Sequence, residues 1–431
     1  MPAGSSNAPG ARLEPPGAPS AGARAGESIG RRVVAVFAVL VGVSIANLYY
    51  VQPLLPMVRR DFHVASGVAA LATTSAQLGF VLGLLFLLPL GDLVERRRLV
   101  TGLALACAVF LVVAASAPVI AVLLVALLLV GATVALAQVL LPFAATLAPE
   151  HERGRVVGLV MSGLLLGILL ARTFAGLVAA ASSWRVVFYC AAGSMVVVTI
   201  LAWTRLPGEV RRGELSYTGL LGSLGGIVRS EPVLRRRALF GALGMGCFSV
   251  LWTSIAFLLS GAPYHYGTAR IGLFGLVGAA GALMASVAGR LADRGRSGAV
   301  TVVTTALLAG SYLPIYLGAH SLAALLVGIV VLDLGVQGLH ITNQSLIYRL
   351  APEHRSRTNA VYMISYFLGG TSASGLAAAL YSSTRWAGVC ALGAALGTAA
   401  FAAALVELRR ARRVALGDGA ALVAGGGGAS R

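Results

Sequence analysis

A helix needs about 20 mostly apolar residues to cross the hydrocarbon of a bilayer, and this chain offers twelve such stretches. They cover 33–55, 67–90, 99–117, 119–146, 156–181, 184–204, 238–261, 266–289, 299–318, 321–348, 358–381 and 386–406. In hydrocarbon the backbone must satisfy its own polar groups, and a helix does that within one segment. The expected fold is therefore all-α and integral to a membrane, with twelve transmembrane helices. Gly and Pro recur inside the stretches, which membrane helices tolerate. Gly272, Gly275, Gly278 and Gly281, at i+3 spacing, predict a helix face that a neighbour can approach closely.

Composition removes the alternatives. Of 431 residues, 58% are hydrophobic and 11% charged. A soluble chain carries roughly 25% charged residues. All 33 basic residues are Arg. Without Lys there is no Walker A loop to hold phosphates and no Schiff-base amine. No GxSxG elbow, HExxH or CxxC occurs, so an enzyme is not expected. Cys107, Cys190, Cys247 and Cys390 are scattered through apolar stretches, which argues against metal sites and disulfides. No cofactor is expected. Residues 1–30, rich in Pro, Gly, Ala and Ser, read as a disordered N-terminal segment.

The net charge of +18 would suggest nucleic acid in a soluble protein. Here the arginines flank spans instead. On a twelve-span alternation, 27 of the 33 fall on one face, and only Arg59, Arg60, Arg185, Arg270 and Arg385 on the other. The remaining one, Arg172, lies inside a span. The positive-inside rule then makes both termini cytoplasmic. The longest polar interval, 206–237, divides the spans six and six. The expected organisation is a bundle at 31–205, a cytoplasmic linker at 206–237, a second bundle at 238–408 and a cytoplasmic tail at 409–431.

The halves repeat each other. Leu147-Ala148-Pro149-Glu150-His151 matches Leu350-Ala351-Pro352-Glu353-His354, and Gly91 to Arg96 matches Gly289 to Arg294. Trp184 with Trp386 and Cys190 with Cys390 continue the register, so all four pairs lie 198 to 203 residues apart. Two parallel six-helix halves form a transporter architecture.

These residues resemble the major facilitator superfamily over nearly all of residues 31–408. Its GxLaDRxGRR motif between spans two and three stands here as Gly91 to Arg98, and again as Gly289 to Arg296. In the first copy Glu95 takes the place of the Asp. The resemblance implies two pseudo-symmetric bundles and a cytoplasmic latch built from Gly91, Asp92, Glu95, Arg96, Gly289, Asp293 and Arg294. A carboxylate and an Arg would then bridge helix ends; the plainer reading is a charged turn that fixes topology. Asn47 to Pro56 resembles the first span of the drug:proton antiporter branch and of its sugar and nucleoside efflux relatives. In the span-five stretch Gly167 to Gly176, Arg172 stands where those exporters have Pro.

Asp333 is the one acid well inside a span. Burial there costs roughly 2.5–3.5 kcal/mol on insertion scales. It reads as a proton-coupling or cation-binding carboxylate, or as a structural partner for an Arg. Gln337 and His340 follow it on the same helix face, with Asn343 beyond. His340 reads as a proton relay or as a neutral hydrogen-bonding group. Arg172 pairs with Asp333, meets an anionic substrate group, or snorkels outward. In span one Asn47 and Tyr50 are expected to line the substrate cavity. Gln77, Gln138, Trp252, Thr253 and Ser254 are weaker candidates.

The expected function is a secondary transporter of the bacterial cytoplasmic membrane. It exports small amphiphilic molecules by alternating access, driven by inward protons. Its partners are substrate, protons and lipid, with no nucleic acid, and it is expected to be a monomer. The alternatives are a uniporter or importer of a polar metabolite, and a receptor or scaffold that no longer transports.

Overall fold

The structure is a computed structural model that describes residues 31–149, 152–208, 217–278, 296–348, 350 and 355–425. Among them every regular element is helical. The first half holds α1 (Arg31–Ala46), α2 (Leu55–Asp61), α3 (Ser66–Phe86), α4 (Arg96–Ala115), α5 (Ile120–Val134), α6 (Leu136–Leu147), α7 (Arg153–Ala181) and α8 (Trp184–Arg205). Then come α9 (Tyr217–Ser230), α10 (Pro232–Ser260), α11 (Thr268–Leu273), α12 (Ser297–Leu317), α13 (Leu322–Ile347) and α14 (Arg355–Gly425). Nine helices of the described residues are long and apolar enough to cross a membrane. Their outer faces carry large apolar side chains such as Val125, Leu166 and Leu313, a surface suited to lipid rather than water.

Four expected boundaries change. Span one does not run unbroken from 33 to 55. Its helix stops at Ala46, and a turn and the short 3-10 segment Gln52–Leu54 lead into α2. Pro53 and Pro56 each lack the N–H that the helix ladder needs. The Asn47 amide meanwhile donates back to the carbonyls of Val43 and Ser44, at 2.9 and 3.1 Å. The 206–237 linker is largely structured. Within it α9 sets Leu224, Ile227 and Val228 against a core cluster drawn from both halves, and the Tyr217 hydroxyl donates to the Phe86 carbonyl at 2.9 Å. One residue, Glu231, separates α9 from α10. The expected break at 382–385 shrinks to a kink at Arg385, and α14 runs on to Gly425. Of span eight, the structure describes α11 and the 3-10 turn Phe274–Gly278.

Packing follows the sequence repeat. In the first half α1 lies backbone to backbone on α7: a Cβ on Gly42 would stand 2.6 Å from the Gly163 carbonyl oxygen, and one on Gly163 would strike that of Ala38. In the second half α10 and α14 meet the same way at Ala242 and Gly369. Glycine permits this approach because it has no side chain to hold the helices apart. The paired tryptophans do not share equivalent partners. Trp184 donates its indole N–H to the Asp61 carboxylate and Trp386 to the Ile315 carbonyl, both at 3.1 Å.

The halves join along two seams. On one, α3 runs against the first part of α14, with Phe80 and Phe367 edge to face at 4.6 Å between centroids. Thr74 and Ser374 share a hydrogen bond of 2.9 Å, and the Gly67 N–H donates to the Ser382 hydroxyl at 3.0 Å. On the other seam α7 meets α11, where the Thr173 hydroxyl donates to the Gly272 carbonyl at 3.2 Å.

Replacing Gly163 by Leu forces α1 away from α7 and should destabilise the fold by at least about 2 kcal/mol. Gly158, one turn earlier on α7, faces open space, so Gly158→Leu should be neutral. Thermal unfolding in detergent, followed by size-exclusion fluorescence, compares the two.

Candidate functional site

Arg172 comes from α7 of the first half and is almost fully buried, at 3% exposure. Its guanidinium sits in a box of rings. The Trp252 centroid lies 4.0 Å from the guanidinium carbon, Tyr49 4.9 Å and Phe248 5.6 Å. Cation–π contacts of this kind are worth about 2 kcal/mol when dry. Nε donates to Gln52 Oε1 at 2.7 Å, and Nη1 to the Ile168 carbonyl at 3.3 Å. A guanidinium only donates, so it fixes which way the Gln52 amide faces. The broken backbone of span one presents Tyr49 and Gln52 to this point.

Asp333 comes from α13 of the second half and is 4% exposed. Among the described residues it forms no ion pair, and its Oδ1 has no hydrogen-bond partner. Arg172 and Asp333 influence each other electrostatically, and Trp252 lies beside both. The predicted pair is thus a juxtaposition without contact. The glycine stripe makes the room. A Cβ on Gly275 would stand 2.9 Å from the Arg172 Cβ, and one on Gly278 would stand 2.8 Å from Asp333 Oδ2. Gly281 lies outside the described residues.

Three more buried atoms in this cluster lack partners: Gln52 Nε2, Arg172 Nη2 and Trp252 Nε1. A buried polar atom left unpaired costs about 1–3 kcal/mol, and such groups call for a functional account. Three donors and a carboxylate oxygen, walled by aromatic rings, can hold a small molecule with both polar and apolar parts.

The other expected residues fall elsewhere. His340 shares a 2.9 Å hydrogen bond with the Tyr362 hydroxyl through Nδ1, and its ring packs on Tyr362 and Tyr366. That is a polar cluster between α13 and α14, farther along the same face as Asp333. Gln337 lies between them on that face. Asn343 is fully buried, with neither amide atom bonded. Asn47 uses its amide N–H groups on its own helix. Tyr50 packs on Phe174 at 5.6 Å, so Tyr49, not Tyr50, meets Arg172. Tyr49, Gln52, Phe248 and Trp252 complete the site. Two signals pointed there: the Pro pair that breaks span one, and an Arg in an apolar span, which calls for aromatic and amide neighbours.

At the Arg-rich end the motif between spans two and three lies beside Arg357 and Ala360 of the second half, and its described hydrogen bonds reach elements of the first. Arg96 is buried, donates to the Gly91 carbonyl and to the Thr146 hydroxyl, both at 3.3 Å, and lies over Phe143. Glu95 does not pair with Arg96; it holds Arg97 and Arg98 at 3.3 and 2.7 Å. The Asp92 backbone lies in the 3-10 turn Leu88–Asp92. Gly289, Asp293 and Arg294 lie outside the described residues. An unexpected tie serves the second half: buried Arg237 bonds to Glu407 and to the Thr301 hydroxyl, joining α10, α12 and α14.

The family profile described as Major Facilitator Superfamily matches residues 37–318. The chain belongs to that superfamily. It is a transporter of the alternating-access fold, not an enzyme, and it crosses a membrane several times. It is 46% identical to the transporter YgaY of Escherichia coli strain K12 over 364 residues, covering 84% of this chain and 92% of that protein. It is 37% identical to the transporter SCO4007 of Streptomyces coelicolor over 392 residues, covering 90% and 89%. Among solved structures, the nucleoside transporter NupG has a TM-score of 0.71 at 12% identity, covering 87% of this chain and 99% of that one. The human organic anion transporter MFSD10 has a TM-score of 0.67 at 16% identity, with the same coverage.

Within this transporter, Gln52→Leu strands Arg172 Nε without an acceptor and should lower thermal stability by about 1–3 kcal/mol. Tyr50→Phe removes no hydrogen bond seen here and should leave stability unchanged. Equal losses in the two variants would show that Gln52 does not hold the guanidinium.

Proposed function

We propose that the protein is a proton-coupled exporter of small amphiphilic molecules in the cytoplasmic membrane of a bacterial cell. Its twelve helices leave both termini in the cytoplasm, and it works as a monomer. Substrate, protons and the bilayer are its partners, and nucleic acid has no part in its cycle. The observation that carries this reading is the meeting of Arg172 and Asp333. Opposite charges from the two halves lie close in a dry interior, and neither is consumed by an ion pair.

Rocking one half against the other changes the separation of such charges. Deprotonated Asp333 attracts Arg172 and favours the close arrangement. A proton on Asp333 removes that attraction and frees the halves to shift. Substrate seated among Gln52, Arg172, Trp252 and Asp333 occupies the same space and replaces the missing hydrogen bonds. Proton and substrate thus take turns at one carboxylate, which exchanges an outgoing molecule for an incoming proton. His340, with Tyr362 and Tyr366, lies along the same helix face and serves as a relay toward Asp333. In the alternative, a uniporter or importer of a polar metabolite, both charges are structural and the unpaired atoms bind substrate with no proton exchanged.

The test compares compound accumulation in an efflux-deficient bacterial host carrying wild type or Asp333→Asn at matched expression, with and without a protonophore. The expected result is a compound whose accumulation wild type lowers, with that effect lost on mutation and on gradient collapse. Export that survives Asp333→Asn removes this carboxylate from coupling. If no compound responds, the uniport reading takes over, and proteoliposome flux of polar metabolites becomes the measurement. Arg172→Ala and Asp333→Ala should each be severe and non-additive when combined; mild additive losses would show that the two act separately.

A further inference from the structure

The end of the molecule opposite the Arg-rich end holds a cavity that the transport site does not use. It measures ≈ 660 Å³ and lies between the halves. The first half contributes Arg59 and Arg60, from the last turn of α2; the second contributes His320, Tyr381, Arg385 and Trp386. Among the described residues none of the lining side chains is acidic. Among the described residues none of Arg59, Arg60 and Arg385 pairs with a carboxylate. The neighbouring Asp61 is already engaged by Arg185 at 3.0 Å and by Trp184.

Like charges held around one cavity repel unless a counter-charge joins them. Arg385 adds a second anomaly. Its backbone, at φ 55 and ψ −141, lies where a residue other than Gly is held under strain. Glycine would sit there freely, yet the position carries a guanidinium that lines the cavity. Arginine is suited to phosphate-type oxyanions, which it grips through two parallel N–H groups.

We propose that this cavity binds a multivalent phosphate-type oxyanion that bridges the two halves, and that binding holds this end of the transporter shut. Arg59 and Arg60 belong to one half and Arg385 to the other. They must part when this end opens, so a bridging anion binds the closed form better and shifts the equilibrium toward it. The Gly67 N–H to Ser382 hydroxyl contact joins the two halves at the same end. The anion is either free in solution or the headgroup of an anionic lipid.

The experiment uses the full chain in phosphatidylcholine nanodiscs with Cys190, the exposed cysteine, replaced by Ser. Spin labels are placed by Ser182→Cys in the first half and Ser383→Cys in the second. Inorganic pyrophosphate should raise Tm and increase the short-distance population by about twofold or more. Sodium chloride at equal ionic strength should not. The response should vanish in the variant combining Arg59→Gln, Arg60→Gln and Arg385→Gln, and persist in Arg270→Gln. Arg385→Gly, which relieves the backbone while removing the charge, should weaken the response without lowering the anion-free Tm. If phosphatidylglycerol alone produces the short distance, with the same dependence on the arginines, the occupant is a headgroup. If only pyrophosphate does, it is a free anion. No response to either, an equal response to chloride, or a response that survives loss of the three arginines would overturn the proposal.

Discussion

A guanidinium deep in an apolar bundle has to be held, and what holds Arg172 decides how the two halves meet. Its rings come from both sides of the molecule: Tyr49 from the first half, Phe248 and Trp252 from the second. Gln52 supplies the acceptor for Nε. The floor comes from α11 and the turn after it, where glycines allow the backbone of the second half to reach Arg172 and Asp333. The seam between α7 and α11 is therefore the wall of a charged chamber as well as a packing contact. Any motion between the halves at that seam rearranges the surroundings of both charges.

The ends of the molecule are built on another plan. Near the Arg-rich end each half is tied within itself, by Arg96 to Gly91 and Thr146 in the first half and by Arg237 to Glu407 and Thr301 in the second. At the opposite end Asp61, Trp184 and Arg185 do the same for the first half. Internal ties keep a bundle rigid while it moves as a body, and alternating access requires that. Along the seam of α3 with α14 the described contacts between the halves are neutral hydroxyl and ring contacts, which can be exchanged without stranding a charge.

The helical architecture was legible because it depends on stretches of twenty apolar residues, a signal that tolerates error at each end. Gly42 on Gly163 and Ala242 on Gly369 are close contacts at the spacing of the sequence repeat, while the repeated Trp184 and Trp386 bond to different elements. Asp333 and Arg172 stood out because charge inside an apolar run is rare. Facing was not legible. Tyr49 and Tyr50 are neighbours in sequence, and only the break at Asn47 to Val51 determines which of them meets Arg172. Asn47 turns its amide N–H groups back on its own helix and leaves Oδ1 without a partner, a division the sequence does not show. Arg237 looked like a topology charge at the end of a linker, and nothing in the sequence singled out Glu407. Their pairing depends on α10 beginning at Pro232, a boundary that hydropathy placed several residues later.

The linker has a mechanical meaning. In a chain whose halves are joined by a floppy cord, each half could tilt without regard to the other. Here α9 is fastened through Tyr217 to the end of α3, packs on α14 of the second half as well, and passes through Glu231 alone into the first long helix of the second. It behaves as a strut. A tilt of α10 levers the strut, and the strut bears on α3, which itself forms one of the two seams. The covalent connection and the seam thus carry the same displacement, so the halves are geared together at the edge where the chain crosses between them.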